Sequence, residues 1–183
     1  MVIVVTGPAG AGKSRVGRAV AARLGAAFVE GDDHHPADNV ARMRAGVPLG
    51  DAERAPWLAT LAAIIAAHAA AGTPAVVACS ALRRAYRDAL RPAGAPAGAV
   101  VFVALAVPAG VLDARLSARP GHFFPPALLD SQLRAWEPLA ADEPGGTVDA
   151  GAPVDVVVDR VLAAARAVAG AAAGAAADSP SPA

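Results

Sequence analysis

Cysteine is all but missing from this chain: Cys79 stands alone, which excludes an internal disulfide and agrees with a reducing compartment. Net charge is missing too. Basic and acidic residues number 16 each, so no overall positive field is available to hold a long nucleic acid. Long hydrophobic runs are lacking: the longest apolar stretches are rich in alanine and broken by His68 or Arg166, and neither reads as a membrane span. No basic segment precedes the apolar run at Val2, so no signal peptide is expected and a cytoplasmic location is. Lysine has dwindled to one residue, Lys13, every other basic side chain being arginine. Where arginine has displaced lysine so far, a surviving lysine points to a site that needs a compact ammonium.

What the chain does hold is enough length, 183 residues, for one domain with a sizeable core. Short β-branched runs at 2–6, 27–30, 75–79, 100–106 and 154–158 read as strands, most of them apolar throughout. Such runs suit parallel strands covered on both faces. Helical patterns fall at 13–24, 36–45, 55–71, 82–90, 108–118, 125–136 and 159–169, with Pro56 placed for a first turn. Alternating elements of the two kinds predict a doubly wound α/β domain over 1–169. Residues 170–183, Ala/Gly-rich and then Pro/Ser-rich, lack bulky apolar side chains and are expected to fray.

Directly after the first predicted strand comes Gly7-Pro8-Ala9-Gly10-Ala11-Gly12-Lys13-Ser14, followed by a helical pattern. This is a phosphate-binding loop in its required strand–loop–helix setting. Its glycines let successive N–H groups, those of Ala9, Gly10, Ala11 and Gly12 among them, turn inward on phosphate oxygens. The helix start adds partial positive charge. Lys13 reaches the β- and γ-phosphates of ATP, and the Ser14 hydroxyl ligates Mg²⁺; Arg15 follows at the mouth of the same site. The loop fixes nucleotide binding but not a reaction.

The second predicted strand ends in Glu30-Gly31-Asp32-Asp33-His34-His35. Residues just past the carboxyl ends of parallel strands line the ligand crevice. Asp32 is therefore the candidate to accept the proton of an attacking hydroxyl, to hold a water on Mg²⁺, or both, with Glu30 a second candidate for the metal shell. A zinc site is disfavoured, because consecutive residues rarely converge on one ion and no companion Cys/His pair exists.

Taken with further blocks, these residues resemble the small P-loop gluconokinases, relatives of shikimate and adenylate kinases. The blocks are Gly7–Ser14; Gly31-Asp32 with His35-Pro36 and Asn39; Met43 and Gly46 with Pro48-Leu49, Asp51, Arg54 and Pro56-Trp57-Leu58; then Cys79-Ser80-Ala81-Leu82-Arg83-Arg84 with Tyr86-Arg87-Asp88. Gly121-His122-Phe123-Phe124, Leu128-Leu129, Ser131-Gln132 and Glu137-Pro138 complete the set. The phosphate loop departs from the family in Pro8, Ala9 and Ala11, and Glu30 stands where Asp is common.

The resemblance implies a three-layer α/β/α domain with a five-stranded parallel sheet, a helical substrate region and a lid. It implies transfer from ATP, with Mg²⁺, to the 6-hydroxyl of gluconate, and leaves room for a homodimer. It also makes His35, Asp51, Arg54, Trp57, Ser80, Arg84 and Gln132 candidates for the sugar pocket. For three of these a plainer reading stands beside it: a helix cap at Asp51, core packing at Trp57, a strand-end turn at Ser80. On the predicted lid helix, Arg115 is expected against adenine and Arg119 against the phosphates, the rival being a surface arginine pair. A shikimate or other small-acid kinase predicts a different acceptor block from residues 43–58. A non-catalytic ATP-binding regulator would not need Asp32 or the lid arginines.

Overall fold

The structure, a computed structural model, describes residues 1–118 and 128–177. Its centre is a five-stranded, all-parallel sheet in the order β2-β3-β1-β4-β5. The strands are β1 (Val2–Thr6), β2 (Ala27–Glu30), β3 (Ala75–Ala78), β4 (Val100–Ala106) and β5 (Gly145–Asp149). In the middle of the sheet, Val2 is in register with Ala75 on one side and Val100 on the other. Parallel strands need crossovers, and helices supply them on both faces. These are α1 (Lys13–Leu24), α2 (Ala37–Arg44), α3 (Asp51–Ala70), α4 (Arg84–Ala89), α5 (Ala109–Ser117), α6 (Leu129–Ala135) and α7 (Val154–Ala177).

Alternation along the strands divides the core in two. Ile3, Val5, Val101, Val103 and Leu105 face Val16 and Val20 of α1 and Val157 and Val161 of α7. Val2, Val4, Val77 and Phe102 face Trp57, Leu61 and Ile65 of α3 and Tyr86 of α4. Both faces of β1 are therefore dry, as its unbroken apolar sequence requires.

Three expectations from the sequence are corrected. The run at 154–158 is not a strand but the opening of α7, where Val157, Val158, Val161, Leu162 and Ala165 recur at helical spacing and bury one stripe. The fifth strand lies instead at Gly145-Gly146-Thr147-Val148-Asp149. Glycine there is a packing requirement, since a Cβ on Gly145 would stand 2.0 Å from the Phe102 carbonyl oxygen. Next, α7 continues through residues 170–177, where alanine's high helix propensity prevails over the expected fraying; residues 178–183 lie outside the described residues. Finally, α3 starts at Asp51, not near Pro56, because the Glu53 carboxylate accepts the Gly50 N–H at 2.8 Å and secures an earlier first turn.

Candidate active site

The phosphate loop sits between the carboxyl end of β1 and the start of α1. Gly7, Gly10 and Gly12 take φ of +147°, +81° and +95°, values that side chains rarely adopt. The Gly12 carbonyl accepts the Val16 N–H at 2.9 Å and begins the helix, whose first-turn N–H groups have no helical acceptor and belong to residues that line the cavity over this loop. Lys13 Nζ donates to the Pro8 carbonyl at 3.1 Å, folding the lysine back over the loop. Two of the donors expected for phosphate are engaged within the protein: Ala11 N–H bonds the Pro8 carbonyl (3.2 Å), and Ala9 N–H bonds Gln132 Oε1 (2.6 Å).

A cavity of about 620 Å³ opens over this loop. Its wall includes Ala9 to Val16 with Lys13, Ser14 and Arg15, and also Asp32, His35, Met43, Arg54, Ser80, Arg115 and Gln132. Most of the residues singled out from sequence thus converge on one space. They do so because β1, β2 and β3 end side by side, each delivering a loop to the same edge of the sheet. The link between Thr6 Oγ1 and the Ser80 carbonyl, 2.7 Å, ties the end of β1 to the segment after β3.

On the acid side, a 3-10 turn (Gly31–His34) follows β2 and carries Asp32. Glu30 lies beneath it with its side chain 15 % exposed. Burial raises the Glu30 pKa; a hydrogen bond from Ser14 opposes this, the nearby Asp32 adds to it, and Lys13 and Arg18 lower it. His35 stacks on Trp57 with ring centroids 4.3 Å apart and planes 12° from parallel. Burial drives the His35 pKa down to about 4; the charge of Asp32 raises it and that of Arg54 lowers it further, so the imidazole is neutral at ordinary pH. Its Nδ1 is buried and has no hydrogen-bond partner among the described residues.

The structure does not bring every expected residue to the cavity. Trp57 is fully buried, its indole N–H bonded to the Gly31 carbonyl at 2.7 Å, so it supports His35 and the Asp32 turn and does not line the cavity. Arg84 turns outward to form a two-pronged pair with Asp142 at 2.9 and 2.6 Å. Asp51 opens α3 as its first residue and binds Arg83 at 3.0 and 3.1 Å and the Tyr86 hydroxyl. It lines a smaller adjoining cavity together with Arg54 and Gln132. Asn39, a motif residue without an assigned role, is buried and donates to the Glu53 carbonyl at 2.6 Å, pinning α2 to α3.

Opposite the loop, Ala150, Ala152, Pro153, Val154, Asp155 and Val157 form a wall that sequence reasoning missed. The misplaced fifth strand hid it; a correctly placed strand end would have revealed it. Arg115 spans the gap, donating to the Gly10 carbonyl at 3.4 Å and the Ala150 carbonyl at 3.3 Å. Arg119 and the expected lid at 120–125 lie outside the described residues.

Does this donor set suit a magnesium nucleotide? No group of three or more His, Cys, Asp or Glu among the described residues could hold a metal ion alone. Magnesium, however, binds through one or two oxygen side chains plus phosphates and water. Ser14, Glu30 and Asp32 beside a phosphate loop fit that pattern.

Comparison with known proteins agrees with this geometry. A family profile described as an AAA domain matches residues 2–139. A gluconokinase of Gluconobacter oxydans is 43% identical over 160 residues, 87% of this chain and 88% of the relative. Among solved structures, a sugar kinase from a Janibacter species superposes with a TM-score of 0.83 at 42% identity, covering 93% of this chain and 96% of that one. A gluconokinase from Sinorhizobium meliloti gives 0.79 at 41% identity, over 92% and 94%.

Proposed function

The chain belongs to the gluconokinase family, and from that premise we propose that its cavity holds MgATP on the phosphate loop and D-gluconate between Asp32 and Arg54, for transfer to the 6-hydroxyl. It is an ATP-dependent small-molecule kinase, so the chemistry is an in-line exchange. A bond forms from the acceptor oxygen to the γ-phosphorus, the bond from that phosphorus to ADP breaks, and the hydroxyl proton leaves.

In this reading the residues divide the work by reach. Lys13 and the first N–H groups of α1 stabilise charge on the phosphoryl oxygens. The Asp32 carboxylate orients the acceptor hydroxyl and takes its proton. Ser14, Asp32 and Glu30 would hold a magnesium ion, which when bound would neutralise phosphate charge. His35, a neutral ring propped on Trp57, offers a donor and an acceptor to sugar hydroxyls without adding charge. Ser80 and Gln132 complete the polar lining. Arg54 supplies the forked cation that a carboxylate needs. Arg115 bonds the Gly10 and Ala150 carbonyls, between the loop and the wall at 150–157, and in this reading it flanks the nucleotide base.

One observation carries the reading: Asp32, His35 and Arg54 share a cavity with the phosphate loop, so an acid, a hydroxyl-binding group and a carboxylate-binding group all face one reaction centre. A coupled ADP-release assay across gluconate, shikimate, other sugar acids and nucleoside monophosphates tests it. Gluconate is expected to give the highest kcat/KM, with phosphate on the 6-oxygen of the product by NMR. A preference for shikimate would replace the acceptor. Tight ATP binding with no turnover on any acid would favour a regulatory ATP-binding module.

A further inference from the structure

A second cavity, about 230 Å³, adjoins the first and shares Arg54 and Gln132 with it. Its wall carries Arg83 from the residue before α4 and Arg134 from α6, facing Asp51 and Tyr86. The charges do not cancel. Arg54, Arg83 and Arg134 bring three positive groups, and Asp51 brings the only carboxylate on that wall among the described residues. Asp51 is already committed to Arg83 and the Tyr86 hydroxyl. Among the described residues, no carboxylate pairs with Arg54 or Arg134. The guanidiniums of Arg54 and Arg83 both lie 5.7 Å from the Tyr86 ring centre, so one phenol spaces the two cations.

An unneutralised cationic cavity is arranged for an anion. Its position says which one. Gln132 and Arg54 stand between it and the phosphate loop, and Gln132 is itself bonded to Ala9 of that loop. A molecule with its reacting alcohol beside Asp32 and its body passing Arg54 would put its far end here. Resting on the acceptor reading above, we propose that this cavity is the carboxylate subsite of the acceptor: Arg134 and Arg83 receive the acid end of the sugar acid, and Arg54 bridges the two cavities. The subsite then selects for an acid at the end remote from the reacting hydroxyl.

Steady-state kinetics with Arg134→Gln and Arg83→Gln test this, with gluconate and with glucitol, the polyol that lacks the carboxylate, measured as acceptor or competitor. Arg134 is exposed, so its replacement is not expected to affect folding; melting curves check Arg83→Gln. Each variant should raise the gluconate KM about tenfold or more, leave the ATP KM within about twofold, and shrink the preference for gluconate over glucitol by the same factor. Arg134→Lys should recover part of the loss. An unchanged gluconate KM in Arg134→Gln, from an active wild type, overturns the subsite alone. Equal losses on gluconate and glucitol also overturn it, since they would mean a general disturbance. A wild type that ignores gluconate fails one step earlier: it removes the acceptor reading, and the subsite with it.

Discussion

Arg87 on α4 and Arg54 on α3 belong to neighbouring helices, yet their surroundings could hardly differ more. Arg87 is 1% exposed and grips Glu143 through two bonds of 2.6 and 2.8 Å. Its remaining N–H groups reach the carbonyls of Ala81, Leu82, Glu137 and Pro138. Glu143 also accepts the Ala140 N–H at 2.9 Å, and its pKa is held low, chiefly by the Arg87 hydrogen bonds. Arg54, by contrast, makes one long bond to the Leu49 carbonyl and stands over Tyr86, with its side chain facing both cavities. The first arginine is a bolt joining the chain after α6 to the chain after β3. The second is held in place by light contacts and keeps its charge available. Burial with full hydrogen bonding marks a structural cation, and exposure to a cavity without a paired carboxylate marks a ligand-binding one.

The sharpest way to break this contrast is to remove the bolt. Arg87→Met should cost about 3–5 kcal/mol in urea unfolding, because it strands a buried carboxylate, and Arg87→Met with Glu143→Leu should recover most of that. A loss below ~1 kcal/mol would show that the pair is not structural. Next in size, Asp32→Asn should lower kcat about a hundredfold or more while ATP binding and melting temperature hold; an unchanged kcat would reassign the proton acceptor. Arg54→Ala should raise the gluconate KM about tenfold to a hundredfold with little change in stability, the mirror image of Arg87. If it instead unfolds the protein, the distinction between the two arginines collapses.

The smallest expected effect concerns pH. His35 has its pKa lowered from 6.5 to about 4, so on acidification the unfolded chain takes up its proton first. The stability that neutral His35 contributes is whole above about 6.5 and is lost as pH falls towards about 4. Melting temperatures of wild type and His35→Gln across that window should converge towards acid as the wild type gives up its advantage. Parallel curves would mean that His35 titrates normally.

Much of this contrast was invisible in the sequence, and the reason is geometric. The region from β1 through the phosphate loop to β2 could be read directly, because a strand, a glycine-rich turn and a helix each leave a local signature. Asp32, His35, Arg54 and Ser80 could be read because they follow strand ends or sit in a distinctive block. Arg83, Arg84 and Arg87 could not be told apart: one lines a cavity, one meets Asp142 on the surface, and one is buried. Each helical step turns a side chain through about 100°, so adjacent arginines face different worlds, and only packing shows which. Trp57 stays open between pocket and core in the sequence, and the fifth strand was missed, for the same kind of reason. An indole can floor a pocket or line it, and a Gly-Gly-Thr-Val-Asp strand has only two β-branched residues to announce itself.

The AAA-domain profile match ends at residue 139, whereas the wall facing the phosphate loop is built from residues 150–157. A chain cut where the family match stops would keep every recognisable motif, yet it would lose β5 and α7. That cut would leave the long β4 as a bare edge and the buried stripe of α1 open to water. Anyone trimming or grafting this domain must therefore carry the final helix along, although nothing in its alanine-rich sequence advertises that it closes the chamber.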